Sequence, residues 1–194
     1  MNEYLSKVNF LIVDDHLFTL KLIRDVLATF GAKNIEIARD GTEALSVMKQ
    51  FHPDVAIVDW LMSPMDGIAF TLHVRRSQKS PNIFLPIIMM TGKSERRQVI
   101  EAREAGVNEY VIKPLTAKAL MSRIQAVIER PRRFVRVGEY FGPDRRRQDK
   151  VFDGNDKRGT GQTATEKAAA GARTMKQDEI NRLFNPDEDP SKKD

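Results

Sequence analysis

Short apolar runs alternate along the chain with longer stretches in which apolar residues return every third or fourth position. The runs at 8–13, 35–38, 55–58, 86–90 and 109–112 are too short for helices, and Val55, Ile57 and Val58 give the central one a β-branched character. They read as five strands, the central one buried on both faces. After the first, Leu17, Leu20, Ile23, Leu27 and Phe30 keep helical spacing up to Gly31, which stands where a C-cap glycine is wanted. Asp40-Gly41-Thr42-Glu43 offers a capping-box start for a second helix running to Gln50. Ile68, Phe70, Leu72 and Val74 predict a third, ending before Ser80-Pro81, and Ser94 can cap a fourth whose Val99, Ile100 and Ala102 face inward up to Gly106. A fifth covers 116–129. Strands and helices in strict alternation predict an α/β fold, a doubly wound parallel sheet with right-handed crossovers and helices on both faces.

The polar residues that follow the strands change the picture from fold to chemistry. Asp14 and Asp15, Asp59, Thr91 and Lys113 fall just past the apolar runs of four strands, so a parallel sheet gathers them at its C-terminal edge, where such folds place ligands. Taken singly each has an ordinary reading: Asp14 a helix N-cap, Lys113 a surface lysine, Thr91 a loop hydroxyl. Together they form a set. Three neighbouring carboxylates repel unless a cation shares them, and an all-oxygen cluster suits Mg²⁺ rather than zinc. Lys113 supplies a compact positive charge for a phosphoryl group, the Thr91 hydroxyl a donor, and an aspartate can itself be the nucleophile that forms an acyl phosphate. The set predicts a phosphoryl-transfer site with Asp59 as acceptor.

Composition narrows the class further. The 194 residues leave room for one ordinary domain and something smaller, and the absence of cysteine excludes disulfides and thiolate metal sites. No leader pattern and no run of membrane-spanning length is seen, so a cytoplasmic protein without membrane contact is expected. His16, His52 and His73 lack metal-like spacing and read as ordinary histidines. No Gly-x-Gly-x-x-Gly or Walker-type loop offers a nucleotide a phosphate cradle.

Four separated motifs carry a resemblance. Val-Asp-Asp at 13–15, Asp-Trp-x-Met-x-x-Met-Asp-Gly at 59–67, Met-Thr-Gly at 90–92 and Tyr-Val-Ile-Lys-Pro at 110–114 make residues 5–130 similar to a two-component response-regulator receiver domain, the single-domain chemotaxis regulator above all. The resemblance implies a flavodoxin-like sheet of strand order 2-1-3-4-5. It implies that Asp59 takes a phosphoryl group from a phosphohistidine of a histidine kinase or phosphotransfer protein. Asp14, Asp15, Asp59 and the backbone carbonyl of Leu61 would hold Mg²⁺, and Lys113 would contact the phosphoryl oxygens. Thr91 and Tyr110 would act as the switch, remodelling the face of the fourth helix, fifth strand and fifth helix for a downstream protein target. Such a module is no turnover enzyme, only self-phosphorylating from phosphodonors and slowly autodephosphorylating. Leu61 departs from the polar residue of the chemotaxis regulator, which bears on the dephosphorylation rate, and Ser63-Pro64 shifts the usual proline by one, which bears on loop shape.

The charge divides the rest of the chain. Residues 1–130 carry 17 Lys and Arg against 15 Asp and Glu, residues 131–174 carry 11 against 6, and residues 175–194 carry 4 against 6. The basic stretch 131–152 interleaves Phe134, Tyr140 and Phe141 with arginines, which predicts an extended piece packing its aromatics on the receiver; the alternative is a DNA-binding output regulator using residues 131–150. With no helix-turn-helix or other reader motif, nucleic acid is not the expected partner. Residues 153–173 read as a flexible linker and 187–194 as a disordered tail, making the C-terminal extension largely disordered. Within it, 174–186 predicts an amphipathic helix: Thr174-Met175-Lys176-Gln177 as a capping-box start, Ile180, Leu183 and Phe184 as one apolar stripe, and Pro186 as the stop. Residues 176–185 are similar to the N-terminal docking peptide of the flagellar switch protein. That resemblance implies a tethered ligand for the receiver face of its own chain or a neighbouring one.

Overall fold

The computed structural model describes residues 3–92, 95–144 and 174–184. After a 3₁₀ turn at Glu3–Lys7, strand β1 (Asn9–Val13), helix α1 (Leu17–Thr29), β2 (Asn34–Ala38), α2 (Gly41–Val47), β3 (Val55–Asp59), α3 (Gly67–Arg76), β4 (Ile87–Thr91), α4 (Arg96–Ala105), β5 (Glu109–Ile112) and α5 (Ala117–Glu129) follow in order. The five strands form one parallel sheet of order β2-β1-β3-β4-β5. This is the doubly wound architecture expected from the alternation of runs, in the flavodoxin-like strand order that the resemblance implies.

Alternate residues of each strand feed two separate cores. Phe10, Ile12, Val55, Ile57, Ile88, Met90 and Val111 pack under α1 and α5, whereas Leu11, Val13, Ala56, Val58, Ile87, Met89 and Tyr110 pack under α2, α3 and α4. Burial on both faces is why β1, β3 and β4 read as continuous apolar runs, whereas the edge strand β2 is mostly exposed and alternates.

Several local expectations meet a different outcome. Leu17 and Phe30 are exposed, because they lie at the two ends of α1 beyond the sheet that buries Leu20, Ile23 and Leu27. Gly31, at φ 94°, takes the left-handed position after that helix. Asp40 caps α2 as expected, its carboxylate accepting from Thr42 and Glu43 N–H, but Glu43 accepts from Arg39 N–H rather than from Asp40, and the helix stops at Val47 instead of Gln50. Ser94 lies outside the described residues; the residue preceding α4 is Glu95, which makes no side-chain cap.

Beyond α5 the chain forms an antiparallel hairpin, β6 (Phe134–Val137) and β7 (Tyr140–Pro143), turning through Gly138 at φ 58°. Phe134, Phe141 and Phe84 make a three-ring cluster with centroids 5.3 to 5.6 Å apart. The last described element is α6 (Gln177–Phe184), whose Ile180 and Phe184, with Met175 just before it, complete the core on the α4 side of the sheet. Residues 145–173 and 185–194, which include the expected linker and tail, lie outside the described residues. Among the described helices none is long and apolar enough to cross a membrane.

Candidate phosphoryl-acceptor site

The register of the sheet brings the candidate residues to one edge. Val13 pairs with Val58, Asp59 with Met90 and Thr91 with Ile112, so Asp14, Asp59, Thr91 and Lys113 leave four adjacent strands at nearly the same height. Asp59 ends β3 and is only 5 % exposed, with Asp14 fully buried beside it. Lys113 reaches back from the end of β5 and lies between them, Nζ 2.9 Å from Asp14 Oδ2 and 2.8 Å from Asp59 Oδ1.

Each carboxylate is also fixed by the backbone. Asp14 Oδ1 accepts from His16 N–H at 2.8 Å, but it is not the N-cap open to it from sequence: His16 precedes α1 and no side chain caps the helix. Asp59 Oδ2 accepts from Leu61 N–H at 3.2 Å. The loop that follows is held close: Gly67 N–H donates to the Trp60 carbonyl, and Gly41 N–H to the Met65 carbonyl. A Cβ on Gly67 would stand 2.2 Å from the Asp59 carbonyl oxygen, which is the physical reason for glycine there. Asp66 caps α3 by accepting from Ala69 N–H at 2.7 Å. The Ser63–Pro64 and Lys113–Pro114 peptide bonds flanking the site are cis.

The electrostatics follow from burial and the shared cation. Burial raises the Asp59 carboxyl above its ordinary value; Lys113 opposes the shift and the Asp14 charge adds to it. For Lys113 burial acts in the opposite sense, lowering it, but hydrogen bonds and charges from Asp59 and Asp14 prevail and hold it above the usual lysine range. The result is a buried Asp59 carboxylate whose charge is compensated chiefly by one lysine.

Asp15 is more open, and its Oδ1 lies 2.6 Å from His16 Nδ1. Ligand atoms of Asp14, Asp15 and His16 fall within 4.8 Å of one another. The hard oxygens of Asp14 and Asp15, with the Asp59 carboxylate beside them, fit Mg²⁺. Leu61, whose N–H donates to Asp59, is 53 % exposed. His16 is the residue that spacing arguments missed: it is exposed, as an ordinary histidine would be, yet it contacts both aspartates. Its only sequence signal is immediate adjacency to them. His52 and His73 take no part in the cluster among the described residues.

Thr91 and Tyr110 link the site to the far side of β5. Both are buried, and a side-chain hydrogen bond joins them; burial pushes the Tyr110 phenol up, so it stays protonated. The Tyr110 ring meets Trp60 edge-on at 6.4 Å and stacks on Phe184 of α6 at 5.8 Å. Of the tail residues singled out from sequence, Ile180 and Phe184 are buried and Leu183 is half-buried. The start of α6 differs from expectation. Thr174 bridges to Glu95 instead of capping, and the reciprocal bond is made by Glu179, whose carboxylate accepts from Lys176 N–H at 3.2 Å.

Part of the described basic segment makes contacts within the chain. Arg136 lies over Phe141, and Arg132 donates to the carbonyls of Asn108 and Phe184. No observation favours DNA reading by this hairpin.

Comparison with known proteins agrees with the geometry. Residues 10–125 match the response regulator receiver domain family. Chemotaxis protein CheY-3 of Vibrio cholerae is 35 % identical over 131 residues, 67 % of this chain and 99 % of that one. Chemotaxis protein CheY of Pseudomonas aeruginosa is 39 % identical over 120 residues, 62 % and 95 %. Among solved structures, CheY4 of Vibrio cholerae superposes with a TM-score of 0.58 at 30 % identity, covering 62 % of this chain and 98 % of that one. A CheX–CheY–BeF₃–Mg complex from Borrelia burgdorferi superposes with 0.56 at 28 %, covering 62 % and 88 %. The chain belongs to the response regulator receiver domain family, with CheY-like relatives.

Proposed function

We propose that Asp59 is the phosphoryl acceptor of a two-component phosphorelay. The observation that carries the reading is the position of Asp59 at the end of β3, buried, with Lys113 Nζ 2.8 Å from its Oδ1. An Asp59 oxygen attacks the phosphorus of a phosphohistidine on a histidine kinase or phosphotransfer protein. The P–N bond breaks, and its electron pair stays on the imidazole. Lys113 is then positioned to exchange its contact with the Asp59 carboxylate for one with a phosphoryl oxygen, compensating the charge that arrives. Asp14, Asp15, Asp59 and the Leu61 carbonyl would hold Mg²⁺, which when bound supplies further charge compensation at the phosphoryl oxygens. The Borrelia complex, solved with Mg and BeF₃, supports Mg²⁺ as the metal for such a site.

In this reading the chain is a switch, not a turnover enzyme: its own chemistry is limited to accepting the group and slowly losing it. Thr91 and Tyr110 carry the change to the face formed by α4, β5 and α5, where a downstream protein is bound or released. The chemotaxis proteins among its relatives favour a role in chemotaxis or motility. The test is incubation with a small phosphodonor and Mg²⁺, reading intact mass and Trp60 fluorescence. A phosphoryl mass increment and a fluorescence change in the wild type, both lost in Asp59→Ala, are expected. An unmodified wild type would overturn the assignment.

A further inference from the structure

Strand β5 is the edge of the sheet, and an open edge strand presents backbone groups that need partners. One side chain meets two of them. The Gln177 amide accepts from Ile112 N–H at 2.8 Å and donates to the Tyr110 carbonyl at 2.9 Å, so a glutamine stands in for a neighbouring strand. Seven positions on, Phe184 stacks on the Tyr110 ring, with Ile180 fully buried between. The C-terminal end of the helix is held as well. Arg103 of α4 donates to the Leu183 carbonyl, and Arg132, just past α5, to the Phe184 carbonyl, two cations where the helix dipole favours them. Elements on both sides of β5 therefore grip this one helix, and an eight-residue helix is not stable alone in water.

We propose that residues 174–184 are the resident ligand of the α4–β5–α5 face in their own chain, and that an outside partner reaches this face only by displacing them. The inference rests on the proposed function for what the face reads out, and adds what occupies it. Its chemistry defines the competing partner: an amphipathic helix with a glutamine or asparagine amide in its first turn, an aliphatic residue three positions on and an aromatic seven positions on. An acidic or basic residue in place of the amide can only accept or only donate, and so leaves one backbone group of β5 unmatched. Phe184 stacks on Tyr110, Tyr110 is hydrogen-bonded to Thr91, and Lys113 N–H donates to the Thr91 carbonyl at 2.7 Å, so the face and the site share one run of contacts through which their occupancies would be linked. Linkage is reciprocal, and a coupling of roughly 5- to 150-fold in affinity is the usual range.

The probe is a fluorescent synthetic peptide of residues 174–186 added to the full-length protein. The wild type is expected to bind it weakly. Ile180→Ala/Phe184→Ala, whose own tail no longer fills the face, is expected to bind it at least about tenfold more tightly, within that coupling range. Gln177→Glu, which leaves the apolar stripe intact, serves as the second variant and is expected to shift binding in the same direction. Equal binding to the wild type and both variants, or binding to none of them, would overturn the proposal. So would a wild-type dimer that Phe184→Ala converts to monomer, since the occupant would then come from another copy. Intact mass after phosphodonor treatment of the same samples separates the two readings. Peptide exchange without phosphorylation would sink the acceptor assignment alone, and phosphorylation without exchange would sink this inference alone.

Discussion

Lys113 Nζ lies 2.8 Å from Asp59 Oδ1 and 2.9 Å from Asp14 Oδ2, so one ammonium group compensates two buried carboxylates contributed by different strands. Removing it leaves both without that counter-charge in a poorly hydrated site. Lys113→Met is expected to lower stability by about 1–3 kcal/mol in chelator-treated buffer, less than for a fully buried pair because Lys113 is itself partly exposed. Magnesium, offered to the same oxygens, should narrow the gap. Phosphodonor labelling of Asp59 should fall roughly 100-fold, the scale of losing one preorganised charge donor. Urea midpoints with and without Mg²⁺, and labelling rates by mass, check both; a variant labelled at the wild-type rate would contradict the role given to Lys113.

Asp59 gives a pH prediction with a definite sign. Its folded value is raised above the ordinary 3.8 chiefly by burial, so the native state holds this proton more tightly than the unfolded chain. The contribution is favourable below 3.8 and is lost as pH rises through the folded value. At neutral pH the ionised Asp59 is a cost. Asp59→Asn should therefore be more stable than the wild type at neutral pH, with the difference shrinking as pH falls through the raised value toward 3.8. Phosphodonor labelling of the wild type should decline over the same acid limb, since the nucleophile must be ionised. A stability difference that grows on acidification would reverse the sign and refute the account.

Much of this site was legible because a parallel sheet converts sequence position into spatial position. Once five apolar runs are strands, the residues after them share an edge, and Asp14, Asp59, Thr91 and Lys113 needed no further information to be placed together. The helix ends were less legible. Leu17 and Phe30 keep the spacing of core residues but project beyond the sheet, and periodicity alone carries no measure of where the neighbouring layer stops. Thr174 looked like a cap because its local pattern fits one, yet its backbone pairs with Glu95, a contact 79 positions away that no local rule contains. The Gln177 bracket on β5 was illegible for the same reason: it depends on which strand is left at the edge.

Gly67 offers a sharp steric test. A methyl group there would meet the Asp59 carbonyl oxygen at 2.2 Å, backbone against side chain, with no flexible atom to give way. Gly67→Ala is expected to cost at least about 2 kcal/mol. Displacing the Asp59 backbone should also reduce phosphodonor labelling. Gly92→Ala, with nothing within 4 Å of the added carbon, is the matched control and should stay within about 0.5 kcal/mol. Urea denaturation of both variants measures the contrast, and equal midpoints would mean that the loop after β3 relaxes freely.

Arg75 is a buried cation with no carboxylate against it among the contacts described. Its guanidinium donates to the carbonyls of Gly106, Ile83 and Leu85 and to Asn108 Oδ1, at 2.7 to 3.0 Å, and its Cζ lies over the Phe134 ring, 4.9 Å from the centroid. Four oxygens from the β4 and β5 approaches thus converge on one α3 side chain, and the hairpin packs over it. Arg75→Met fills similar volume but leaves those oxygens without this donor, an expected loss of about 3 kcal/mol. Arg75→Lys should recover little of it, since one ammonium cannot span the four acceptors or stack on Phe134. Hydrogen exchange should quicken at residues 134–143 in both variants, because the guanidinium is the floor on which that hairpin rests. Arg76→Ala, one residue on and exposed, should leave stability and hairpin protection near the wild type. A lysine variant with wild-type protection at the hairpin would show that charge alone, rather than the guanidinium's shape and donor count, holds this edge of the receiver together.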